Sequence, residues 1–258
     1  YAPSPTLEGH LLFALKYEGV DLAVLKVLFS VVEPSEIEAI IRSTPTGSYV
    51  RRLWFLYEWL MNRALELPDL RSGNYVPVIE PAIQYAVSGK NIKRQRVIDN
   101  LLGTRRFCPL VYKTEKLENY IRMNLKEKAA GVIRKIPADV MDLTAAFLLL
   151  KDSRASYAIE NEAPAHKRIE RWGKVIGQAG ANPIDRDELV RLQQLVIGDT
   201  RFITPGLRSE GGFVGEYERE TGTPIPEHIS ARPEDLPDLI QGIIDHASVC
   251  ENEIDPVI

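Results

Sequence analysis

Ser156 and Glu160 lie four residues apart in the stretch Met141 to Asn161, MDLTAAFLLLKDSRASYAIEN. On a helix that spacing sets a hydroxyl and a carboxylate one turn apart on one face. Taken alone, such a pair is most simply a solvated helix face. A second candidate is Arg208, a lone cation inside FITPGLRSEGGFVG. That segment, Phe202 to Gly215, reads as a hairpin whose Gly211 and Gly212 leave backbone donors and acceptors open to an extended peptide. The plain alternative is a structural hairpin. The four histidines, His10, His166, His228 and His246, read as surface or capping residues. Phosphate-loop and dinucleotide glycine patterns are absent, as are the Gly-x-Ser-x-Gly elbow and the His-Glu-x-x-His zinc motif.

The element that must carry Ser156 and Glu160 begins apolar and ends polar. Leu143, Leu150 and Tyr157 recur at heptad spacing, widened by Ala146 and Phe147. Ala145 to Leu150 is apolar on every side, which predicts a helix buried all round. Beyond it, Lys151, Asp152, Ser153, Arg154, Ser156 and Glu160 turn the helix polar.

Composition bounds the possibilities. With 258 residues, 45% apolar and 26% charged, the chain is an ordinary globular protein rather than a disordered one. A net charge of -4 argues against the whole surface serving nucleic acid. Two cysteines, Cys108 and Cys250, are too few for a disulfide framework or a four-cysteine zinc site, and read as buried thiols of a cytoplasmic protein. No run approaches a membrane span and no signal-peptide layout opens the chain. The start at Tyr1 and the apolar end Pro256-Val257-Ile258 suggest an internal piece of a longer protein.

The first part reads as a helical module. Leu7 to Leu15 and Asp21 to Val32 are helix-length stretches. Ser35 to Glu38 has the capping-box pattern ahead of an Ile37/Ile40/Ile41 stripe. Ser48 to Leu67, ended by Pro68, predicts a central helix with Leu53, Leu56, Tyr57, Leu60 and Ala64 inward and Arg51, Arg52, Glu58 and Arg63 more polar. Tyr75 to Ile79 and Ile83 to Val87 read as short strands. Lys90, Lys93, Arg94, Arg96, Arg105 and Arg106 form the one basic cluster. It reads first as a loop whose arginines pair with nearby acids, and alternatively as a phosphate or nucleic-acid patch. Thr114 to Ile136 predicts one long helix, closed by Pro137.

In the second part, Ala165 to Ala179 and Asp185 to Val196 predict helices. Gly222 to Ile229 reads as a proline-locked extended crossing, and Leu236 to Val249 as a further helix with Leu239, Ile243 and Ala247 inward.

Ser156-Tyr157-Ala158-Ile159-Glu160-Asn161 resembles the inhibitory-helix motif Ser/Thr-x-x-x-Glu-Gly/Asn of Fic (Fido-fold) proteins. The order that follows is similar to the front half of a Fic domain: two helices, a hairpin, a Pro-rich connector with Pro-Glu-Asp-Leu-Pro, and a helix. The likeness covers about Val140 to Ile258. The helical stretch Leu7 to Leu110 is similar to the N-terminal extension of some large bacterial Fic proteins. The resemblance implies a mainly α, Fic/Fido-like core with a β-hairpin flap, preceded by a helical module, with domains at 1–112 and 113–258. It implies protein AMP transfer from ATP, usually with magnesium. Ser156, Glu160 and Asn161 would then form the brake, and Arg208, Gly212, Phe213, Val214 and Gly215 the target-docking flap. Its partners would be a target protein and, as a further option, a second copy of the chain.

The catalytic signature His-Pro-Phe-x-Asp/Glu-Gly-Asn-Gly-Arg is absent. No catalytic or metal-binding residue is therefore assigned, and ATP and magnesium are not expected to bind fully. The chain is read as ending before its active site. The alternatives are a non-catalytic helical regulatory or nucleic-acid-binding protein that engages DNA through Lys90 to Arg106, and a free-standing inhibitor of a Fic toxin.

Overall fold

The structure is a computed structural model that describes residues 2–159, 173, 175, 178, 180–197, 205–251, 253–255 and 258. Among the described residues the fold is mainly α with two small sheets, and the chain divides into two units, residues 1–123 with 245–258 and residues 124–244.

The first unit is built around α4, Ser48–Met61, whose residues Val50 to Tyr57 are all buried. Three helices pack on it: α1 (Leu7–Phe13, continued by a π-helical turn Ala14–Glu18), α2 (Leu22–Val31) and α3 (Pro34–Ser43). A helix buried on every face must be apolar all round or satisfy its polar groups internally. Arg51 and Arg52, expected on a polar face, are buried, and their terminal guanidinium nitrogens find partners within the chain while the Nε of each has none. Arg51 donates to the carbonyls of Asn74 (2.7 Å) and Arg96 (3.2 Å), and Arg52 pairs with Glu80 at 2.9 Å. Burial, with Arg96 and Arg52 nearby, holds the Arg51 guanidinium below its ordinary pKa.

α4 ends at Met61 because Asn62 adopts the left-handed conformation (φ 51°), six residues before the predicted end at Leu67. The segment that follows folds back onto the helix: Leu65 N–H donates to Glu58 Oε1 at 2.9 Å. At α3 the capping box does not form. Pro34 occupies the first turn, so Glu33 is the N-cap without a side-chain bond, and Glu38 accepts from the Glu66 N–H instead (3.0 Å).

One sheet has the order β1-β3-β2, with β1 (Val76–Pro77) parallel to β3 (Val97–Asp99) and β2 (Lys90–Ile92) antiparallel to it. Ile83 to Val87, expected as a strand, makes a single bridge from Gln84 to Tyr112. Two buried amides replace missing ladder bonds. Gln84 exchanges bonds with both backbone groups of Val20 (2.8 and 2.9 Å), and Asn100 does the same with Ile79 (2.8 and 2.9 Å).

The predicted helix 114–136 is two helices, α5 (Glu115–Arg122) and α6 (Leu125–Ile133). Asn124 breaks it with φ 46° and caps α6 by accepting from Glu127 N–H. In the second unit, α7 is Ala138–Ile159 and α8 is Arg186–Ile197. The expectation that Ala145 to Leu150 is buried all round is corrected: Phe147 is 66% exposed and Leu148 48% exposed. The predicted helix 165–179 lies almost wholly outside the described residues. Strands β4 (Phe213–Tyr217) and β5 (Pro224–Ile229) form the second sheet, and a 3-10 turn Pro233–Asp235 leads into α9, Leu236–Cys250. On α9, Ile243, expected inward, is 42% exposed, while Gly242 is buried. Among the described residues no helix is long and apolar enough to cross a membrane.

Candidate functional site

The hairpin β4–β5 is the best-defined candidate site in the second unit, and it sits one arm later than the sequence suggested. Phe213 to Tyr217 is the first arm. The proline-locked crossing supplies the second. Residues 205–212 form no strand, and Phe202 to Thr204 lie outside the described residues. Pairing runs from Phe213↔Ile229 to Tyr217↔Pro224. The turn closes with Glu218 N–H on Thr223 O and Gly222 N–H on Glu218 O, both 2.9 Å, and Gly222 takes φ 68°.

The hydrogen-bond pattern determines which edge of the hairpin is open. Glu218 and Gly212 both bond across the pair, Gly212 by accepting from Ser230 N–H at 2.9 Å. Antiparallel residues alternate inward and outward, so the backbone groups of Phe213, Gly215 and Tyr217 point away from β5. Pro224 and Pro226 take the outward positions of β5 and have no N–H to offer. The outer edge of β5 is blunted, and β4 presents the edge that a further strand could join.

A register shift at Val214/Gly215 marks a bulge that leaves Glu227 as the extra residue. Gly215 is required there. Its φ is 153°, and a Cβ would stand 2.2 Å from Ile225 O and 2.9 Å from Glu227 N. Val214 and Ile225 on one face of the hairpin, and Tyr217 and Ile229 on the other, are all more than half exposed, and Phe213 meets Tyr217 edge-on at 5.3 Å. Arg208 donates to Ala231 O and so ties the incoming loop to the residue pair that follows β5. Gln193 of α8 holds the same loop through Gly206 N–H at 2.6 Å. Beyond β5, Arg232 grips Asp235 bidentately (2.8 and 3.0 Å) and fixes the entry to α9.

Ser156 falls within α7, whereas Glu160 and Asn161 lie outside the described residues. The structure thus brings Arg208 and Gly212 to Gly215 together and leaves the acidic half of the predicted brake undescribed. Among the described residues no group of three or more His, Cys, Asp or Glu side chains could hold a metal ion.

In the first unit the arginines of the basic cluster bond within the chain, while Lys90, Lys93, Arg105 and Arg106 are exposed. Arg94 donates to Glu58 (2.9 to 3.2 Å), to Asp69 (2.6 Å) and to the carbonyls of Leu65 and Leu67, with Trp54 beneath it. Its hydrogen bonds to Glu58 raise its pKa. Arg96 donates to Gly73 O at 2.7 Å and lies over Tyr75, Arg105 donates to Asn62, and Arg106 faces Asp245 at 3.8 Å. The guanidinium donors of Arg94 and Arg96 used this way hold loops together.

Two features of the first unit were not anticipated. A groove of about 710 Å3 runs beside β2, walled by Phe55, Trp59, Lys90, Asp99, Arg105 and Glu253. Burial raises the Asp99 carboxyl above the ordinary aspartate value, opposed by Leu101 N–H and by Lys90. The other feature is on α9, where His246 is part-buried and not a surface or capping residue. Its Nδ1 donates to Leu102 O, and Cys250 Sγ reaches the same carbonyl at 3.5 Å. The four-residue spacing of His246 and Cys250 was the available signal. Burial pushes the Cys108 thiol up to about 12. No family model, curated protein or solved structure matches the chain.

Proposed function

We propose that the chain is the front part of a Fic-type protein AMP-transferase, braked by Glu160. The observation that carries this reading is the succession α7, α8, hairpin, 3-10 turn and α9, with the Ser156-x-x-x-Glu160-Asn161 sequence pattern starting within α7. The hairpin geometry supplies a means of docking. An extended segment of the target pairs with the outward backbone groups of β4, while the exposed side chains of Val214 and Tyr217 contact its apolar residues. Gly215 keeps the bulge, and with it the register that the target segment reads.

AMP transfer to a hydroxyl depends on positioning and on stabilising charge on the phosphates. In this reading the Glu160 carboxylate occupies the place of the γ-phosphate and engages the arginine of the signature loop. A like charge there disfavours the productive triphosphate. Ser156 steadies the helix end one turn earlier. ATP and magnesium are then held mainly by residues outside this sequence. The test is the encoded sequence that follows Ile258. The proposal requires His-x-Phe-x-x-Gly-Asn-Gly-Arg within the next helix-and-loop length. A stop codon or an unrelated sequence there refutes it.

A further inference from the structure

Three polar side chains of the first unit stand around one cleft with little to bond to. Asp99, half-buried, accepts a single long bond from Leu101 N–H at 3.4 Å, and Lys90, opposite it in the ladder, forms no ion pair with it. Arg105 donates to Asn62 Oδ1 and has no carboxylate partner among the described residues. The Trp59 indole N–H has no acceptor among the described residues, whereas that of Trp54 donates to Glu58 at 2.8 Å. Buried polar groups are normally paired, so under-used ones around a cavity point to a ligand.

The cleft has two lobes. The groove of about 710 Å3 beside β2 adjoins a cavity of about 450 Å3 between the start of α2 and the 104–109 loop, and Trp59, Thr104 and Arg105 wall both. The lobes differ in charge. The large one holds two carboxylates, Asp99 and Glu253, of which Glu253 is committed to Ser88 N–H at 2.5 Å. The small one is lined by Lys26, Arg105 and Arg106 and by no acid. Arg106 faces Asp245 at 3.8 Å, and Lys26 spends one N–H on Leu60 O at 2.8 Å, which leaves its charge unpaired among the described residues.

A ligand that meets these groups has an anion at one end, a hydrogen-bond donor at the other and a flat body between them. A wholly apolar molecule would strip water from Asp99 and Lys26 and return nothing. A nucleic-acid strand would set further phosphates against Asp99 and Glu253. A free amino acid carries amine and carboxylate on one carbon and cannot serve both lobes. We propose that the cleft binds a nucleoside monophosphate whose base bears an exocyclic amine. The base stacks on Trp59 with its amine towards Asp99, and the phosphate lies with Arg105 and Lys26 in the small lobe. Aromatic faces hold bases and guanidinium forks hold phosphates by these same contacts, and a cleft of this size suits a ligand of that size.

Isothermal titration calorimetry of the whole chain tests this with two pairs of nucleotides, CMP against UMP and GMP against IMP. The second member of each pair lacks the amine. The expected result is one site per chain, with a Kd on the order of 10–100 μM for CMP or GMP and binding about tenfold weaker for its partner. R105A weakens both members by roughly tenfold and flattens the salt dependence. D99N lets UMP bind as tightly as CMP, because its amide offers a donor to the uracil carbonyl. Both variants keep the parent's circular dichroism spectrum. No binding of any of the four nucleotides at millimolar concentration overturns the proposal. So do equal affinities within both pairs, an R105A protein that binds as the parent does, or an oligothymidylate or glycyl-tyrosine that binds more tightly than CMP and GMP.

Discussion

Glu58→Ala is expected to destabilise the first unit more than any surface substitution in the chain. One carboxylate, with a side chain only 13% exposed, accepts from four groups: Trp54 Nε1 (2.8 Å), Leu65 N–H (2.9 Å), Gln95 Nε2 (2.5 Å) and the Arg94 guanidinium. Its loss leaves three neutral donors without that acceptor, and Arg94 with the carbonyls of Leu65 and Leu67 and with Asp69, whose side chain is 67% exposed. Leaving one buried donor unmet costs about 1–3 kcal/mol, and breaking a buried pair from one side about 3–5 kcal/mol. These are overlapping parts of one network, so the expected total is about 3–4 kcal/mol rather than their sum. That lowers the midpoint of urea unfolding by about 1–2 M and Tm by about 10 °C. Tryptophan fluorescence follows the transition, since Trp54 and Trp59 both flank the site. Glu127→Ala is the comparison. Its pair with Arg134 spans 3.8 Å with both side chains over 70% exposed, and its removal should cost under about 0.5 kcal/mol. A loss below about 1 kcal/mol for Glu58→Ala would refute the idea that this carboxylate ties the 62–67 return to α4.

Burial raises the native pKa of Asp99, so the folded chain binds a proton where the unfolded chain has already lost it. That contribution is fully present below the ordinary aspartate value and is lost as pH rises through the native pKa. Asp99→Asn should therefore remove this slope and be more stable than the parent at neutral pH, as read from urea midpoints at several pH values. Cys108, with its thiol pushed up to about 12, should resist a thiol-specific disulfide reagent at pH 8 until denaturant is added. Gly215→Ala drives a Cβ into Ile225 O, and should speed amide exchange across β4 and β5 while leaving the first unit's exchange unchanged.

The elements legible in the sequence were those with a long apolar period. α3, α8 and α9 lie within a few residues of where Ile37/Ile41, Leu189/Leu192 and Leu236 to Val249 place them, and α4 starts at Ser48 as its Leu53/Leu56 stripe implies but ends six residues early. The misses have a common physical origin. Asn62 and Asn124 each end a helix by taking the left-handed conformation, which asparagine tolerates and a period of apolar residues does not reveal. β2 and β3 are three residues each in a stretch dominated by lysine and arginine, too short for alternation to show. Arg51 and Arg52 read as polar surface because their partners, Asn74 and Glu80, come from more than twenty residues away. At the candidate site, glycine and proline positions made the hairpin residues visible. Which arm pairs with which depended on Gly222 closing the turn and on the outward placement of Pro224 and Pro226.

The most direct test of the central claim is the intact mass of the protein expressed with the residues encoded after Ile258, incubated with ATP and magnesium, as wild type and as Glu160→Gly. The account predicts that the variant gains the mass of one or more AMP groups while the wild type gains little. Equal masses with and without ATP in both proteins would contradict it, and so would AMP addition that is indifferent to residue 160.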